Sequence, residues 1–230
     1  MGLLNRLRLG NSSKNEQFAV LGLGRFGRAV ALTMGAQGYD ILAIDRQEER
    51  VTQILLEGKV THALALDVTD AAALRESGVF EMDTVVVAIG NYVEESVIAT
   101  LHLKEAGVAR VVAKASSDIH RRLLEKVGAD RVVFPEHEMG CALGRSLSRP
   151  GILEQFELGD RHGIVEVVVP KAFDGKSIGQ LQLRRDYGVT VLAISQAGSV
   201  VTNPLPDAVL VAGAVMVVLG EQESIDRLLV

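Results

Sequence analysis

Residues 18–27 read FAVLGLGRFG, an apolar run that leads directly into the pattern G-x-G-x-x-G. The apolar residues before the first glycine predict a short β-strand, and residues 28–32, RAVAL, predict the start of a helix. The glycines therefore stand in a loop between a strand and a helix, which is the setting that gives this pattern its meaning. The stretch predicts the beginning of a βαβ unit with parallel strands.

Each glycine of the pattern has a physical task. Gly22 permits the tight turn, Gly24 lets the backbone approach a pyrophosphate, and Gly27 lets the helix pack on the strand. The free amides at the helix start then bind phosphate. Arg25 and Phe26 complete the loop and belong to the predicted nucleotide site. The alternative is that the glycines only make a tight turn.

A carboxylate follows at the spacing that a nucleotide site requires. Asp45 ends the next predicted strand, 18 residues after Gly27, where it can accept hydrogen bonds from both ribose hydroxyls. Its charge argues against a 2′-phosphate, although the adjacent Arg46 could partly offset that repulsion. The pair therefore favours a free 2′-hydroxyl, as in adenosine nucleotides or NAD.

Strand-like apolar runs alternate with helix-spaced segments, as in a parallel sheet covered by helices. The predicted strands are 18–22, 40–45, 62–66, 83–89, 110–115 and 131–134. The run VVVAI at 85–89 is apolar without alternation, which indicates that both of its faces are buried. We therefore predict an α/β fold with a Rossmann-like, doubly wound parallel sheet.

The carboxyl ends of these strands should line one crevice. Asp67 could bond an adenine amino group or cap the helix that opens at Asp70. Lys114 could meet a phosphate or pair with an acid. The remaining predicted contacts lie at the end of the fourth predicted strand, Ala88 and Ile89, and directly after it, Gly90.

The pattern changes at Arg149-Pro150-Gly151, where proline disfavours helix and glycine loosens the chain. The elements predicted beyond it are a strand at 163–169, a short helix at 178–183, a hairpin of 189–195 with 199–202 around Ala197-Gly198, a second hairpin at 209–219 and a helix at 222–229. They predict a small α+β C-terminal domain. The predicted division is a leader at 1–17, a nucleotide-binding domain at 18–135, a connecting helix and linker at 136–151, and a C-terminal domain at 152–230.

Composition excludes several classes of protein. The 230 residues are 48% hydrophobic and 23% charged, which is typical of a globular chain. The net charge of -5 argues against nucleic-acid binding, and the single cysteine, Cys141, indicates a reducing cytoplasm. The uncharged stretch 208–220 is too short to span a membrane. The leader fits a frayed end or an amphipathic contact helix rather than a signal peptide, because basic residues interleave its leucines.

The sequence offers no catalytic group. The histidines, at 62, 102, 120, 137 and 162, are scattered and lack metal-ligand spacing. Glu136-His137-Glu138 suggests a metal site, but consecutive helical residues point to different faces, and a solvated helix start is the alternative. Two functions remain open: a non-enzymatic, ligand-gated regulator and an NAD-linked oxidoreductase or redox-sensing protein.

Several motifs together resemble one protein family. They are GLGRFG at 22–27, AID at 43–45, VVVAIG at 85–90, VAKA at 112–115 and GADRVVFPE at 128–136. From Phe18 onward the chain is similar to the RCK (KTN/TrkA-N plus TrkA-C) cytoplasmic regulatory subunits of bacterial Trk/Ktr-type potassium uptake systems. Residues 210–220 resemble the end of the TrkA-C domain, with Ala214 where Asp is usual and Met216 where Leu is usual.

The resemblance implies a gating ring. Homodimers would assemble into an octamer beneath an integral membrane potassium-translocating subunit, at the inner face of the cell membrane. ATP or ADP, or else NAD(H), would occupy the crevice and act as the switch. Arg25 would reach phosphate, often of a nucleotide in the neighbouring subunit, Asp45 would hold the ribose, and Lys114 would lie near the nucleotide. Glu136 would help bind a divalent cation, Mg or Ca, between subunits.

The resemblance also gives roles to two later segments. The helix after Glu136 would cross over to the partner, and its apolar contacts would be Met139, Cys141, Leu143 and Leu147. Burial of these residues within their own domain is the alternative. The C-terminal domain would dimerise and could bind cyclic di-AMP near Arg184 and Pro204, unless Arg184-Arg185 is only a solvated helix end.

Overall fold

The computed structural model describes residues 16–149, 151–159 and 161–229. The predicted leader at 1–17 lies outside these residues, except for Glu16 and Gln17. The chain divides into two compact units, with the division between Glu138 and Met139.

A six-stranded parallel sheet forms the centre of the N-terminal unit. Its strands are β1 Phe18–Leu21, β2 Ile41–Asp45, β3 His62–Ala65, β4 Thr84–Val87, β5 Arg110–Lys114 and β6 Arg131–Val133. The order β3-β2-β1-β4-β5-β6 places β1 beside β4, so the winding of the chain reverses between these two strands. The predicted doubly wound sheet is confirmed, and each strand falls within its predicted range.

Helices cover both faces of this sheet. They are α1 Arg25–Ala36, α2 Glu48–Leu56, α3 Ala71–Glu76, α4 Val93–Glu105 and α5 Asp118–Lys126. The next helix, α6 Pro135–Ser148, runs past the division between the units. Side chains alternate between the faces of a strand, so Leu21 joins the core that contains residues of α4 and α5. Val20 joins the core that contains residues of α1 and α2. The sheet therefore has two apolar faces, and helices cover each of them.

The C-terminal unit contains an antiparallel sheet with the order β10-β9-β11-β8-β7. Its strands are β7 Ile152–Glu157, β8 His162–Val168, β9 Thr190–Gln196, β10 Ser199–Thr202 and β11 Val215–Glu221, and its helices are α7 Ile178–Leu181, α8 Leu183–Asp186 and α9 Gln222–Leu228. Ile225 and Leu228 of α9 are buried in the core of this unit. The predicted α+β architecture is confirmed. Across the described ranges of the chain, no helix combines the length and the apolar character that a bilayer crossing requires.

The first predicted hairpin is confirmed, and the short helix differs from its prediction. The hairpin strands β9 and β10 meet at Ala197 and Gly198, whose φ angles of 50° and 81° are both positive, as a tight two-residue turn requires. The helix predicted at 178–183 is interrupted, because Gln182 has a φ of 45° and separates α7 from α8.

The predicted second hairpin at 209–219 is wrong. Only its later part forms a strand, β11, which pairs with β8 and β9 and so has a neighbour on each side. Leu210 is buried instead, and its N–H donates to the Lys176 carbonyl at 2.9 Å. Strand β7 was not predicted, because it is a largely exposed edge strand and its sequence, ILEQFE, lacks an apolar alternation.

Candidate functional site

The glycine-rich loop leaves β1 at the carboxyl edge of the sheet, next to β4. Gly22 has a φ of +92°, and a Cβ at this position would lie 2.8 Å from Ile89 Cγ1. A Cβ at Gly27 would overlap the Gly22 carbonyl oxygen and lie 2.8 Å from Ala88 Cβ. A Cβ at Gly24, in contrast, would meet nothing within 4 Å. Two glycines thus allow close packing, while Gly24 faces open space where a ligand can approach the backbone.

The start of α1 offers unpaired backbone donors beside this open space. Gly24 occupies the N-cap position without a side-chain cap, and the first turn of the helix carries no acidic residue. The Arg28 N–H donates to the Gly24 carbonyl at 2.9 Å, so the amides of Arg25, Phe26 and Gly27 precede the first bonded turn. Such amides and the positive end of the helix dipole attract anions. The geometry suits a phosphate group.

Asp45 at the end of β2 is buried, with 3% of its surface exposed, and it anchors the glycine-rich loop. Its Oδ2 accepts hydrogen bonds from the Leu23 N–H at 2.6 Å and from Arg50 Nη1 at 3.2 Å. Its Oδ1 accepts from the Gln47 N–H at 2.9 Å. A carboxylate has about four acceptor positions, so these contacts leave little capacity for a ribose hydroxyl. Asp45 therefore has a structural role that its spacing did not reveal.

Arg46 extends from the end of β2 toward the segment after β4. Its Nη1 lies 2.7 Å from Glu95 Oε1, and its guanidinium lies 4.3 Å from the centre of the Tyr92 ring. Sequence reasoning selected Arg46 but missed Tyr92 and Glu95. Both residues follow Gly90 within five positions, at the same edge of the sheet, and this position was the one indication that they could belong to the site.

Lys114 at the end of β5 pairs with an acid, which is one of the two predicted roles. Its Nζ lies 2.5 Å from Glu136 Oε1 in the first turn of α6, and only 12% of the Lys114 side chain is exposed. A Cβ on Gly90 would lie 3.1 Å from the same Nζ. The hydrogen bond from Lys114 lowers the pKa of Glu136, and the charge of Arg25 adds to this effect. Arg25, Lys114 and Glu136 therefore share one electrostatic environment.

The remaining predicted crevice residues have local structural roles. Asp67 Oδ1 accepts from the Thr69 N–H at 2.8 Å and from the Thr69 hydroxyl at 2.7 Å, and these bonds lower the pKa of Asp67. The cap of α3 is Asp70, which accepts from Ala72 and Ala73. The Ala88 N–H donates to the Leu21 carbonyl at 2.7 Å and so joins the end of β4 to the start of the loop.

The described residues alone do not form a metal site at the start of α6. Within residues 16–149, 151–159 and 161–229, no group of three His, Cys, Asp or Glu side chains is arranged to hold a metal ion. Glu136 alone is a single carboxylate already paired with Lys114. The donor set therefore does not fit a cation without ligands from elsewhere.

The predicted contacts of α6 are exposed in this chain. The exposed fractions of Met139, Leu143 and Leu147 are 68%, 60% and 75%, and Cys141 is also exposed. None of the described residues of this helix is buried. The alternative prediction, that these apolar residues are buried within their own domain, is therefore wrong.

The two effector candidates both lie in the C-terminal unit. Arg184 is exposed on α8, and Pro204 follows β10. Hydrogen bonds from α7 hold the segment after Pro204, because the Gly179 N–H donates to the Pro206 carbonyl at 2.7 Å. Arg185 pairs with Asp186 on the surface, so this helix end is at least partly a solvated ion pair.

The fold and the loop geometry define a Rossmann-type domain in which the start of α1 has the geometry of an anion site, followed by a small antiparallel α+β domain. A family model described as TrkA-N domain matches residues 18–135, and one described as TrkA-C domain matches residues 164–229. The chain belongs to this family of TrkA-N and TrkA-C proteins, which confirms the resemblance inferred from the motifs.

Three relatives of similar length are named as potassium uptake proteins. The chain is 36% identical over 214 residues to Ktr system potassium uptake protein A of Bacillus subtilis (strain 168), covering 93% of this chain and 96% of the relative. It is 33% identical to Ktr system potassium uptake protein C of the same organism, with 92% and 95% covered. It is 35% identical to Ktr system potassium uptake protein A of Vibrio alginolyticus, covering 92% of this chain and 95% of the relative.

A solved structure shares the fold. The GsuK channel superposes with a TM-score of 0.67 at 19% identity, covering 97% of this chain but only 41% of the channel chain. The GsuK channel bound to NAD gives a TM-score of 0.64 at 18% identity, with 96% and 41% covered. At these identities the likeness concerns the architecture alone.

Proposed function

We propose that the chain is a non-enzymatic regulatory subunit that binds an adenine nucleotide in the crevice and thereby controls potassium transport through a membrane partner. The open approach to Gly24, beside the unpaired amides of Arg25, Phe26 and Gly27, is the observation that carries this proposal. The names of the Ktr relatives support the link to potassium uptake.

The proposed ligands are ATP and ADP, with NAD(H) as the other candidate. Phosphates would lie at the start of α1, with Arg25 and Lys114 as the nearby cations. The ribose would approach Asp45, whose contacts to Leu23, Gln47 and Arg50 leave about one acceptor position. An adenosine group with a short phosphate chain fits this arrangement of charges.

The proposed assembly is a homodimer that forms an octameric ring. The domains would be 18–135 and 152–230, joined by a crossover helix and linker at 136–151 that packs on the partner subunit. The exposed leucines and methionine of α6 support this surface. Glu136 would contribute one ligand to a divalent cation, Mg or Ca, shared between subunits.

The proposed location is cytoplasmic, at the inner face of the cell membrane through an integral potassium-translocating subunit. The C-terminal unit would dimerise and carry a second effector such as cyclic di-AMP near Arg184 and Pro204. An NAD-linked oxidoreductase or redox-sensing protein is the competing interpretation, since it uses the same glycine-rich loop and Asp45.

The test is calorimetric titration with ATP, ADP, NAD and NADH of the wild-type chain and two arginine variants of α1. Arg25→Ala should weaken ATP more than ADP, since it removes a cation beside the phosphate position. Arg28→Ala is the matched control, because Arg28 Nε donates to Glu57 Oε1 at 2.7 Å, and it should leave both affinities unchanged. Failure of all four nucleotides to bind would refute the proposal. Steady hydrolysis or hydride transfer lost in a crevice variant would support an enzyme instead.

A further inference from the structure

The residues Asp45 and Arg46 point to opposite ligands when they are considered by sequence alone. A carboxylate at the end of the second strand accepts hydrogen bonds from a free ribose 2′-hydroxyl, whereas an arginine close to this position accommodates a 2′-phosphate. The chain has both residues side by side. Which nucleotides the crevice admits therefore depends on where the Arg46 side chain is held.

The structure turns Arg46 toward the other side of the crevice. Glu95 lies in the first turn of α4 and Tyr92 at its N-cap, and both follow β4. Because β1 lies between β2 and β4 in the sheet, the contact from Arg46 to Glu95 crosses the carboxyl end of β1. The ion pair of 2.7 Å and the stacking distance of 4.3 Å to the Tyr92 ring both engage the guanidinium.

The charges around Asp45 are already matched. Glu95 compensates Arg46, and Arg50, the nearby cation on α2, donates to Asp45 Oδ2 itself at 3.2 Å. A 2′-phosphate beside Asp45 would thus lie next to a buried carboxylate, while Arg46 and Arg50 are each already paired with an acid. A neutral hydroxyl meets no such repulsion.

We propose that Glu95 and Tyr92 hold Arg46 away from the ribose, so that the crevice selects nucleotides with a free 2′-hydroxyl over 2′-phosphorylated ones. This inference rests on the proposed function, since it assumes a nucleotide in the crevice. Glu95 is then a positioning residue, which acts through Arg46 without touching the ligand.

The experiment compares ADP with its 2′-phosphorylated form, and NAD with NADP, by calorimetric titration. The wild type should prefer the free 2′-hydroxyl by at least about tenfold, the scale of one charge-assisted contact. Glu95→Ala removes the ion pair that holds Arg46 and should reduce that preference by about tenfold, chiefly through tighter binding of the 2′-phosphorylated ligand. Glu94→Ala is the matched control, because Glu94 lies in the same helical turn and should leave the preference unchanged.

A second substitution separates positioning from a general change of charge. Arg46→Ala in the wild-type background should alter the preference by less than about twofold, because Arg46 is held by Glu95. In the Glu95→Ala background, Arg46→Ala should abolish the gain. Equal preferences in the wild type and Glu95→Ala would overturn the inference while ADP binding itself stands. Absence of ADP and NAD binding to the wild type would overturn the proposed function, and this inference with it.

Discussion

Gly24→Ala separates ligand binding from folding at the glycine-rich loop. The backbone of Gly24, with φ -63° and ψ -177°, is extended and accessible to alanine, and the added Cβ would meet nothing within 4 Å. The substitution at an N-cap should therefore cost less than about 1 kcal/mol of the free energy of unfolding. The methyl group would nevertheless occupy the space through which a phosphate reaches the amides of α1.

The expected loss of binding follows from the contacts that the methyl group displaces. A hydrogen bond between an amide and a charged phosphate contributes about 1.5–3 kcal/mol, so losing one should weaken nucleotide binding about 10- to 150-fold. The assay is titration with ATP and ADP, together with urea unfolding in the absence of nucleotide. Both measurements use the full chain.

Gly27→Ala provides the contrasting variant in the same motif. Its Cβ would overlap the Gly22 carbonyl oxygen and lie 2.8 Å from Ala88 Cβ, so overpacking should destabilise the fold by about 1–3 kcal/mol or more. A Gly24→Ala chain that folds normally and binds ATP and ADP with wild-type affinity would refute the placement of phosphate at this loop. A Gly24→Ala chain as unstable as Gly27→Ala would refute the geometric argument itself.

Two further predictions concern stability. His120 is fully buried, its Nε2 has no hydrogen-bond partner among the described residues, and burial lowers its pKa, so the folded state disfavours the charged ring. The stability that depends on neutral His120 should be fully present above about pH 6.5 and decrease below it, as His120 is protonated in the unfolded chain. Between about pH 7.5 and about 5.5, the melting temperature of His120→Asn should therefore fall less than that of the wild type, and parallel curves would contradict this. Ala197→Asn should raise the free energy of unfolding by up to about 1 kcal/mol, because asparagine tolerates the positive φ of this turn better than alanine, and urea denaturation without a shift of midpoint would count against it.

Local patterns were sufficient to predict the parallel sheet and the first hairpin. The strand, glycine loop and helix at 18–36 are contiguous, and the Ala197-Gly198 turn lies between two strands of matching apolar character. The false hairpin at 209–219 fails for a different reason. Strand β11 takes its partners from β8 and β9, and this choice depends on distant parts of the chain. Neighbouring residues do not contain that information.

The site shows the same limit. Arg46 and Glu95 are 49 positions apart, and the Lys114 contact to Glu136 spans 22 positions, so no local spacing indicates either pair. Residue types at the carboxyl edge could be collected from the sequence because parallel strands share one edge. Their partners are determined by side-chain directions, which only the packed structure gives.

The spacing of Asp45 from the glycines correctly predicted that its carboxylate lies beside the loop, but not that the carboxylate would be hydrogen-bonded to the loop. Its Oδ2 accepts the Leu23 N–H at 2.6 Å, so the carboxylate assigned to the ribose also holds the loop assigned to the phosphates. Removing this carboxylate would leave a buried amide unpaired and disturb both halves of the crevice together. Loss of binding in an Asp45 variant would therefore not distinguish a ribose contact from a displaced loop. Gly24 and Arg25 are the better probes, because a Cβ at Gly24 would meet nothing within 4 Å and the Arg25 side chain is exposed.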